Sequence, residues 1–449
     1  MSQLHQDDPQ RLRTQLEDTI AALLAEARLQ GADAAEASAS SSTGLEVAVR
    51  MGEVETVEHT RDHGLGITVF FGQRKGSAST SDLRLEAVRE TVRQACTIAT
   101  HTQEDRCAGL ADAALMASEL PDLDLYHPWS ISVEQATELA LACETAARDY
   151  DPRITNSEGA NFGTHRSVRV YGNSHGFLGG YPSTRHGFSC AIVAQDDSGM
   201  QRDYWWTTAR RAQDLAAPAA VGQRAAQRTL ARLNSRQLGT RKVPVLFCAE
   251  VAAGLLHNLI SAISGGRLYR KSSFLLDHLG QAVFPDFVRI HEQPRLQRGL
   301  ASSPFDSDGV ATQAKDFVRE GVLQSYVLDQ YAACRLGMTT TGNAGGVRNL
   351  AVELGAQDRG ALLREMDTGL LVTELMGQGA NLVTGDYSRG AAGFWVERGE
   401  IQYPVEEITI AGNLKTMFAN LVAIGNDYDF PGATITGSWL IEQMTVAGG

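Results

Sequence analysis

The sequence predicts an α+β fold, with helix-flanked antiparallel sheets in the N-terminal half and a glycine-rich, mainly antiparallel sheet or barrel-like domain in the C-terminal part. Apolar residues recur at three- and four-residue steps in a few segments and alternate in many others, which are the periods of helices and strands. Glycine accounts for 44 of the 449 residues against 12 prolines, which indicates many tight turns between strands. No strand–helix–strand unit opens on a Gly-x-Gly-x-x-Gly turn, so a dinucleotide-binding fold is not expected.

Residues 1–127 are predicted to form an N-terminal α+β domain. Residues 12–30 carry apolar side chains at helical spacing and end at Gly31, a typical helix C-cap. Turns are expected where glycine interrupts the alternating runs, at Thr43-Gly44, Met51-Gly52, His63-Gly64 and Gly72. The strands are predicted at 35–50, 53–60, 65–71 and 75–81. A second helix is expected from Ser81-Asp82 to about residue 100, before an acidic connector at 120–127.

Residues 128–236 are predicted to form a central α+β domain with the same order of helix, strands and helix. A helix is expected over 133–150, entered from Ser132, and another over 221–233. Between them, glycines separate short alternating runs. The strands are predicted at 153–158, 164–172, 177–184, 188–195 and 201–209.

Residues 237–449 are predicted to form a β-rich C-terminal domain. A strand at 243–247 enters a strongly apolar helix at 249–263, which stops at Gly265-Gly266. Isolated short strands among many glycines indicate a curved sheet or a barrel. These strands are predicted at 321–328, 370–375, 393–396 and 400–410, with a helix at 358–366.

Composition excludes several classes of function. The net charge is −13 and no run of Lys or Arg exceeds two residues, so direct nucleic-acid binding is not expected. The six cysteines form no Cys-x-x-Cys pair, and they are expected to be free thiols in a reducing compartment. They are Cys96, Cys107, Cys143, Cys190, Cys248 and Cys334. A polar start and an apolar stretch interrupted by Glu250 and His257 predict a cytoplasmic protein with no membrane span.

Several long motifs resemble the TldD/PmbA metallopeptidase family, on its PmbA (TldE) branch. They are Tyr269-Arg-Lys-Ser-Ser-Phe-Leu-Leu-Asp277, Leu300-Ala-Ser-Ser-Pro-Phe-Asp-Ser-Asp-Gly309, Glu374-Leu-Met-Gly-Gln-Gly379 and Thr384-Gly-Asp-Tyr-Ser-Arg-Gly-Ala-Ala-Gly-Phe-Trp395. The resemblance implies a two-chain peptidase in which a TldD-like chain carries zinc and the PmbA-type chain is its homologous partner. It further implies that the pair degrades unfolded peptides and trims leader peptides, and it carries a link to DNA gyrase regulation.

The zinc motif of TldD-type chains is His-Glu-x-x-x-His on a helix, with a distant cysteine as the third ligand. Two imidazoles must meet at the metal, and the glutamate takes a proton from the metal-bound water. Laid over the helix at 249–263, the motif places His257 at the first ligand, Asn258 at the general base and Ala262 at the second ligand. Asparagine cannot exchange a proton near neutral pH, alanine offers no ligand atom, and no cysteine follows Cys334. This chain is therefore predicted to bind no metal and to hold no catalytic residue, with zinc expected in the partner.

Two interpretations of His257 remain open: it is a polar residue on a packed helix, or it is a metal ligand shared with another chain. Four residues form a candidate substrate groove because charged and aromatic side chains between glycines can bracket an extended peptide: Arg270, Asp386, Tyr387 and Arg389. The alternative for the last three is a surface hairpin held by an Asp386–Arg389 hydrogen bond.

The loop 341–346 offers backbone N–H groups to an anion or forms a structural turn. Ser272, Ser302 and Ser388 lack the context of a nucleophile, and Cys248 is expected in the core.

Two functions follow from these observations. The leading hypothesis is a subunit that shapes the substrate chamber of a zinc peptidase, beside a TldD-like metal-bearing homologue, and receives unfolded peptides. The alternative is a non-catalytic homodimer that binds peptides or a client protein on its own. A metallopeptidase acting alone would need ligands outside the motif.

Overall fold

The computed structural model describes residues 8–448. In the N-terminal half, two helices bracket three strands and two further helices bracket three more. In chain order the elements are α1 (Pro9–Leu29), β1 (Ala34–Arg50), β2 (Glu53–Phe71), β3 (Arg74–Thr80), α2 (Leu85–His101), α3 (Val133–Arg148), β4 (Ile154–Asn173), β5 (Leu178–Asp196), β6 (Gly199–Ala209) and α4 (Pro218–Ala231).

The six strands form one antiparallel sheet in the order β3-β2-β1-β4-β5-β6. Strand β1 pairs with β2 on one side and with β4 on the other, so strands from residues 1–127 and 128–236 share the sheet. Helices α1 and α2 bury one half of it around Ile20 and Val92. Helices α3 and α4 bury the other half around Ala140 and Val221. The α+β class with helix-flanked antiparallel sheets is confirmed.

Two of the predicted turns are wrong, because β1 and β2 each run through the glycines that were read as turn residues. At Gly44, a Cβ atom would meet the ring of His165 at 2.4 Å and the Thr60 hydroxyl at 2.7 Å. Gly44 is therefore needed to let cross-strand neighbours approach, and Gly64 likewise lies within β2. The turns at Met51-Gly52 and Gly72 are confirmed by positive φ angles. For the same reason, the predicted strands 153–158 and 164–172 are a single strand, β4, and 177–184 and 188–195 are largely β5.

The C-terminal part contains short helices and many strands. In chain order they are β7 (Arg241–Phe247), α5 (Ala249–Ala262), α6 (Gly265–Tyr269), β8 (Ile290–Glu292), β9 (Lys315–Arg319), β10 (Val322–Leu323), α7 (Gln330–Leu336), β11 (Leu350–Val352), α8 (Arg359–Met366), β12 (Gly369–Met376), β13 (Asp386–Glu397), β14 (Glu400–Asn413), α9 (Leu414–Ala419), β15 (Leu421–Ile424), β16 (Thr434–Ile435) and β17 (Trp439–Gly448). The predicted strand 321–328 shrinks to β10.

The barrel-like expectation is confirmed. Strands β14, β13, β12, β7 and β17 are hydrogen-bonded in that order, and an additional β14–β17 pairing closes the ring. Strand β15 extends it beside β17, and a separate sheet has the order β10-β9-β8-β11-β16. The barrel is filled by apolar side chains around Phe247, Trp395 and Trp439. Most pairings in these two sheets are antiparallel, while β7–β12 and β11–β16 are parallel.

The expectation of free thiols is wrong for two of the six cysteines. Cys107 and Cys334 form a disulfide with a Cα–Cα distance of 5.5 Å, although they lie 227 residues apart. The segment after α2 runs beside α7, where the Tyr331 hydroxyl donates to Asp105 at 2.7 Å, and this contact brings the two cysteines together. The other four cysteines are buried free thiols.

None of the helices within residues 8–448 combines the length and the apolar character needed to cross a bilayer.

Candidate functional site

A cleft of about 610 Å³ lies between the sheet and the loop 303–308 of the C-terminal part. Its position follows from the alternation of β1. Ala35 and Ala37 are buried against the helices, while Glu36, Ser38 and Ser40 point to the opposite face, which carries no helix layer at this point. The C-terminal part covers this open face and turns it into a cleft.

The floor of the cleft consists of small side chains, which leave the sheet surface accessible. The floor residues on β1 to β3 include Ser38, Ser40, Gly64, Gly66, Thr68, Ser77 and Ser79. Thr68 and Ser77 hydrogen-bond each other across the strands at 2.9 Å. Hydroxyl groups can donate and accept, so such a floor can satisfy polar groups of a bound chain without selecting a particular side chain.

The opposite wall is held in place by Asp306, which is 2% exposed. Its carboxylate accepts hydrogen bonds from the backbone N–H groups of Asp308, Val310 and Ala344, each at 2.9 Å. Phe305 packs edge-to-face on Phe177, with ring centroids 5.1 Å apart. The three hydrogen bonds to Asp306 hold the loop 303–308 in shape, and the ring contact of Phe305 with Phe177 fixes it against the sheet.

Glu36 lines the cleft near Asp306, and Asp308 lies close enough to both carboxyl groups to feel their charges, although it does not line the cleft itself. The Tyr171 hydroxyl donates to Glu36 at 2.9 Å, and the Gln330 N–H donates to Asp308 at 3.0 Å. Burial raises the pKa of Glu36 above its ordinary value, against the opposing effect of the Tyr171 hydrogen bond. Burial also raises the pKa of Asp308 to about 7, and the negative charges of Asp306 and Glu36 add to this rise. Near neutral pH, Asp308 is therefore poised between a proton donor and an acceptor.

Arg348 lines the same cleft from the C-terminal side. Its guanidinium donates to the Ala344 carbonyl at 3.1 Å, and its backbone N–H donates to the fully buried Glu292 at 2.8 Å. Glu292 also accepts from Lys315 at 2.8 Å and from Asn343 at 2.8 Å. The polar groups of the loop 341–346 are thus hydrogen-bonded within the protein, which favours a structural turn over an anion-binding loop.

On helix α5, the three motif positions do not converge. His257 is exposed, Asn258 is half-buried and Ala262 is fully buried. His257 faces solvent while Ala262 faces the core, so in this structure the two positions do not lie on one face of α5. The Ala262 carbonyl accepts from the Ser273 hydroxyl at 2.6 Å inside the core. Within residues 8–448, no group of three or more His, Cys, Asp or Glu side chains is arranged to hold a metal ion.

The four predicted groove residues do not form one groove, and none lines the cleft. Tyr387 is 1% exposed in the barrel core, so the prediction that it contacts substrate is wrong. Burial raises the pKa of Tyr387 to about 12, and the neighbouring Arg389 charge opposes that rise. Arg270 is exposed and lies over the Tyr269 ring at 5.1 Å.

The alternative for this segment, a hairpin held by an Asp386–Arg389 hydrogen bond, is also wrong. Asp386 accepts from the Thr384 hydroxyl at 2.6 Å, while Arg389 donates to the Gly377 carbonyl at 2.6 Å. This part of β13 pairs with β14 on one side, and its backbone bonds Gly379 and Asn381 on the other. It therefore offers no free edge to an extended peptide.

Sequence reasoning missed the cleft residues, although two signals for them were present. Glu36, Ser38 and Ser40 alternate with alanines, which marks an open polar face on a sheet. Asp306 and Asp308 stand within one of the family-like motifs, where closely spaced acidic residues follow an apolar turn. What the sequence could not show is that these two segments face each other.

Comparisons with known families cover nearly the whole chain. Residues 35–99, 126–233 and 240–448 match the families described as PmbA/TldA metallopeptidase domain 1, central domain and C-terminal domain. Metalloprotease PmbA of Escherichia coli O157:H7 is 51% identical over 93% of this chain and 92% of that protein. A metalloprotease PmbA homolog of Haemophilus influenzae is also 51% identical, over 92% of each chain. A metalloprotease TldD homolog of the same organism is 20% identical over 78% of this chain and 77% of that protein.

Solved structures share the fold. A candidate modulator of DNA gyrase from Bacteroides thetaiotaomicron superimposes with a TM-score of 0.91 and 27% identity, over 96% of this chain and 98% of that chain. TldE of Thermococcus kodakarensis has a TM-score of 0.82 and 21% identity, over 96% of this chain and all of that chain.

Proposed function

This chain belongs to the PmbA/TldD metallopeptidase family, and from that premise we propose that it is the PmbA-type (TldE-type) subunit of a two-chain zinc peptidase. In this proposal, a TldD-like homologue supplies the zinc, the general base and the hydrolysis. This chain supplies part of the chamber in which unfolded peptides and leader peptides are held.

The observation that carries the proposal is the state of helix α5. A zinc peptidase needs three protein ligands and a base near one open coordination position. Helix α5 offers an exposed His257, an amide at Asn258 and a fully buried methyl group at Ala262. The donors present do not fit zinc, so no hydrolytic step is assigned to this chain.

The cleft supports the substrate-holding role. A floor of hydroxyl groups and glycines accepts an extended backbone and discriminates little between side chains, which suits unfolded peptides of many sequences. A folded protein cannot place its backbone in a cleft of about 610 Å³. The co-occurrence of a PmbA homolog and a TldD homolog in Haemophilus influenzae agrees with a two-chain enzyme.

The test is peptide hydrolysis by this chain mixed with its TldD-like homologue, using an unstructured peptide. Ser38→Trp fills the cleft floor from an exposed position. The expected result is a KM raised about tenfold, because a blocked floor removes substrate contacts outside the chemistry. Thr97→Trp, on the exposed face of α2, is the matched control and leaves KM unchanged. Equal KM values for both variants would refute a substrate-holding role for the cleft.

A further inference from the structure

An arginine on the floor of the cleft has an unneutralised charge. Arg169 of β4 lines the cleft and is exposed. Within residues 8–448, its guanidinium forms neither an ion pair nor a hydrogen bond. The other arginine of the cleft, Arg348, donates to the Ala344 carbonyl at 3.1 Å, and its charge interacts with the buried Asp306 carboxylate. The charge of Arg169 therefore remains available to a bound molecule.

The register of the sheet places small neighbours beside Arg169. Arg169 pairs with Ser40 on β1 and with Tyr181 on β5, and Ser40 pairs in turn with Gly64 on β2. All four residues line the cleft, so they form one row across its floor. The Ser40 hydroxyl forms no hydrogen bond in the described part of the chain, and Gly64 has no side chain to fill the space beside it. A carboxylate above Ser40 can therefore accept from both a guanidinium and a hydroxyl group.

The charge of the cleft changes sign along the strands. Glu36 lies four residues before Ser40 on β1, which separates the two by roughly 13 Å at about 3.3 Å per residue. Burial and the negative charge of Asp306 raise the pKa of Glu36, so both carboxyl groups lie at this end. A carboxylate is attracted by the Arg169 end and repelled by the Glu36 end. The charges of the cleft therefore orient a bound chain.

We propose that the cleft binds a carboxylate of a peptide through Arg169, with Ser40 as the second donor and the chain running from there toward Glu36. This inference rests on the proposed function, because it names the group that the substrate-holding cleft recognises. The carboxylate belongs to the C-terminus of the peptide or to an Asp or Glu side chain, which present the same group to a guanidinium. Hydroxyl groups and glycines form the rest of the floor, so Arg169 is the specificity-determining residue of the cleft.

Fluorescence anisotropy of short peptides on the isolated chain tests this proposal without metal, homologue or hydrolysis. The probes are unstructured peptides of Gly, Ala and Ser, labelled at the N-terminus. One has a free C-terminus, one is amidated there, and one is amidated but contains a single internal Glu. The wild type is expected to bind the free peptide roughly tenfold more tightly than the amidated one, because amidation removes a charge-assisted hydrogen bond. High salt should reduce this preference.

A pair of arginine variants shows whether the preference depends on Arg169. Arg169→Gln should bind all three peptides with the same weak affinity. Arg185→Gln is the matched control, because Arg185 is exposed on the neighbouring strand β5, donates to Thr208 at 3.1 Å and does not line the cleft. This control should keep the wild-type preference. The ratio of two dissociation constants on one protein isolates the contact with the carboxylate, since partial unfolding of a variant affects both peptides equally.

The peptide with an internal Glu identifies the source of the carboxylate. Binding like the free peptide shows that an acidic side chain suffices, and binding like the amidated peptide shows that the C-terminus is required. A wild-type chain that binds no peptide, or that binds the free peptide no better than both amidated ones, overturns the proposal. An Arg169→Gln variant that keeps the preference overturns it as well. These results do not depend on hydrolysis, so chelator-sensitive activity in the mixture with the homologue would still support the proposed function.

Discussion

At the scale of single residues, two carboxyl groups two positions apart have different tasks. Asp306 is buried and accepts three backbone N–H groups, so its role is to hold the wall of the cleft. Asp308 accepts one N–H and is half-buried. The difference in hydrogen bonding leaves Asp308 free to change its protonation state near neutral pH, whereas a change at Asp306 would disturb the loop.

The raised pKa of Asp308 predicts a pH-dependent cost of folding. Between about pH 4 and 7 the folded state keeps a proton that the unfolded state has released, so stability falls as the pH rises through this window. Asp308→Asn cannot ionise and still accepts the Gln330 N–H. The difference in the free energy of unfolding between the variant and the wild type should therefore grow by roughly 1–3 kcal/mol from pH 5 to pH 8, since one pKa unit corresponds to about 1.4 kcal/mol. Urea unfolding at the two pH values measures it. A stability difference between the two proteins that stays constant or becomes smaller as the pH rises would refute the raised pKa of Asp308.

At the scale of elements, α5 shows what a motif comparison gives and what it misses. The strand–helix succession β7–α5 and the apolar face of the helix are readable from the sequence, because periodicity reports burial. The direction in which each polar position points depends on the packing of α5 against the barrel, which no local pattern encodes. Hence Ala262 was identified as a lost ligand, while its burial in the core was visible only in the structure.

Restoring the motif on α5 should therefore not restore a metal site. Asn258→Glu with Ala262→His is expected to bind no zinc and to destabilise the fold by roughly 2–4 kcal/mol, because an imidazole would be forced into a fully packed position. Asn258→Glu with Ser261→His places the second histidine four residues after His257, on the same helix face. Zinc titration followed by calorimetry, with denaturant unfolding, compares the two variants. Tight zinc binding by the first variant would contradict the geometry of α5.

The glycines within the long strands show a similar limit of local sequence patterns. Alternation predicted most of the residues in β1, β2, β4 and β5, but glycines were read as turns. Gly44 is required by the close approach of His165 and Thr60, a contact between strands far apart in sequence. A glycine inside an alternating run thus marks either a turn or a crowded cross-strand site, and only the pairing distinguishes the two.

At the scale of the whole molecule, the N-terminal sheet and the barrel are joined by contacts between distant segments. The disulfide Cys107–Cys334, the Tyr331–Asp105 hydrogen bond and the ring contact of Phe305 with Phe177 link the two parts. Barrel closure by β14 and β17 is another such contact. The fold class and the barrel could be predicted from composition and periodicity. The cleft and the disulfide could not, because their residues are adjacent only after long loops close.

The disulfide predicts a redox-dependent stability. Opening it releases a loop of more than two hundred residues in the unfolded chain, so Cys107→Ser with Cys334→Ser should lower the free energy of unfolding by roughly 2–5 kcal/mol. Denaturant unfolding with and without a reductant measures this. The wild type should respond to the reductant and the double variant should not. A wild type that is insensitive, with both thiols free by mass spectrometry, would contradict the link.

We propose that this chain holds no zinc and takes part in peptide hydrolysis only beside a TldD-like homologue. The most direct measurement is zinc content by mass spectrometry together with peptidase activity, on the isolated chain and on the mixture, with a chelator control. We expect no stoichiometric zinc and no hydrolysis in the isolated chain. In the mixture we expect chelator-sensitive activity, with the zinc bound by the homologue. One zinc per isolated chain, with activity abolished by His257→Ala, would contradict it.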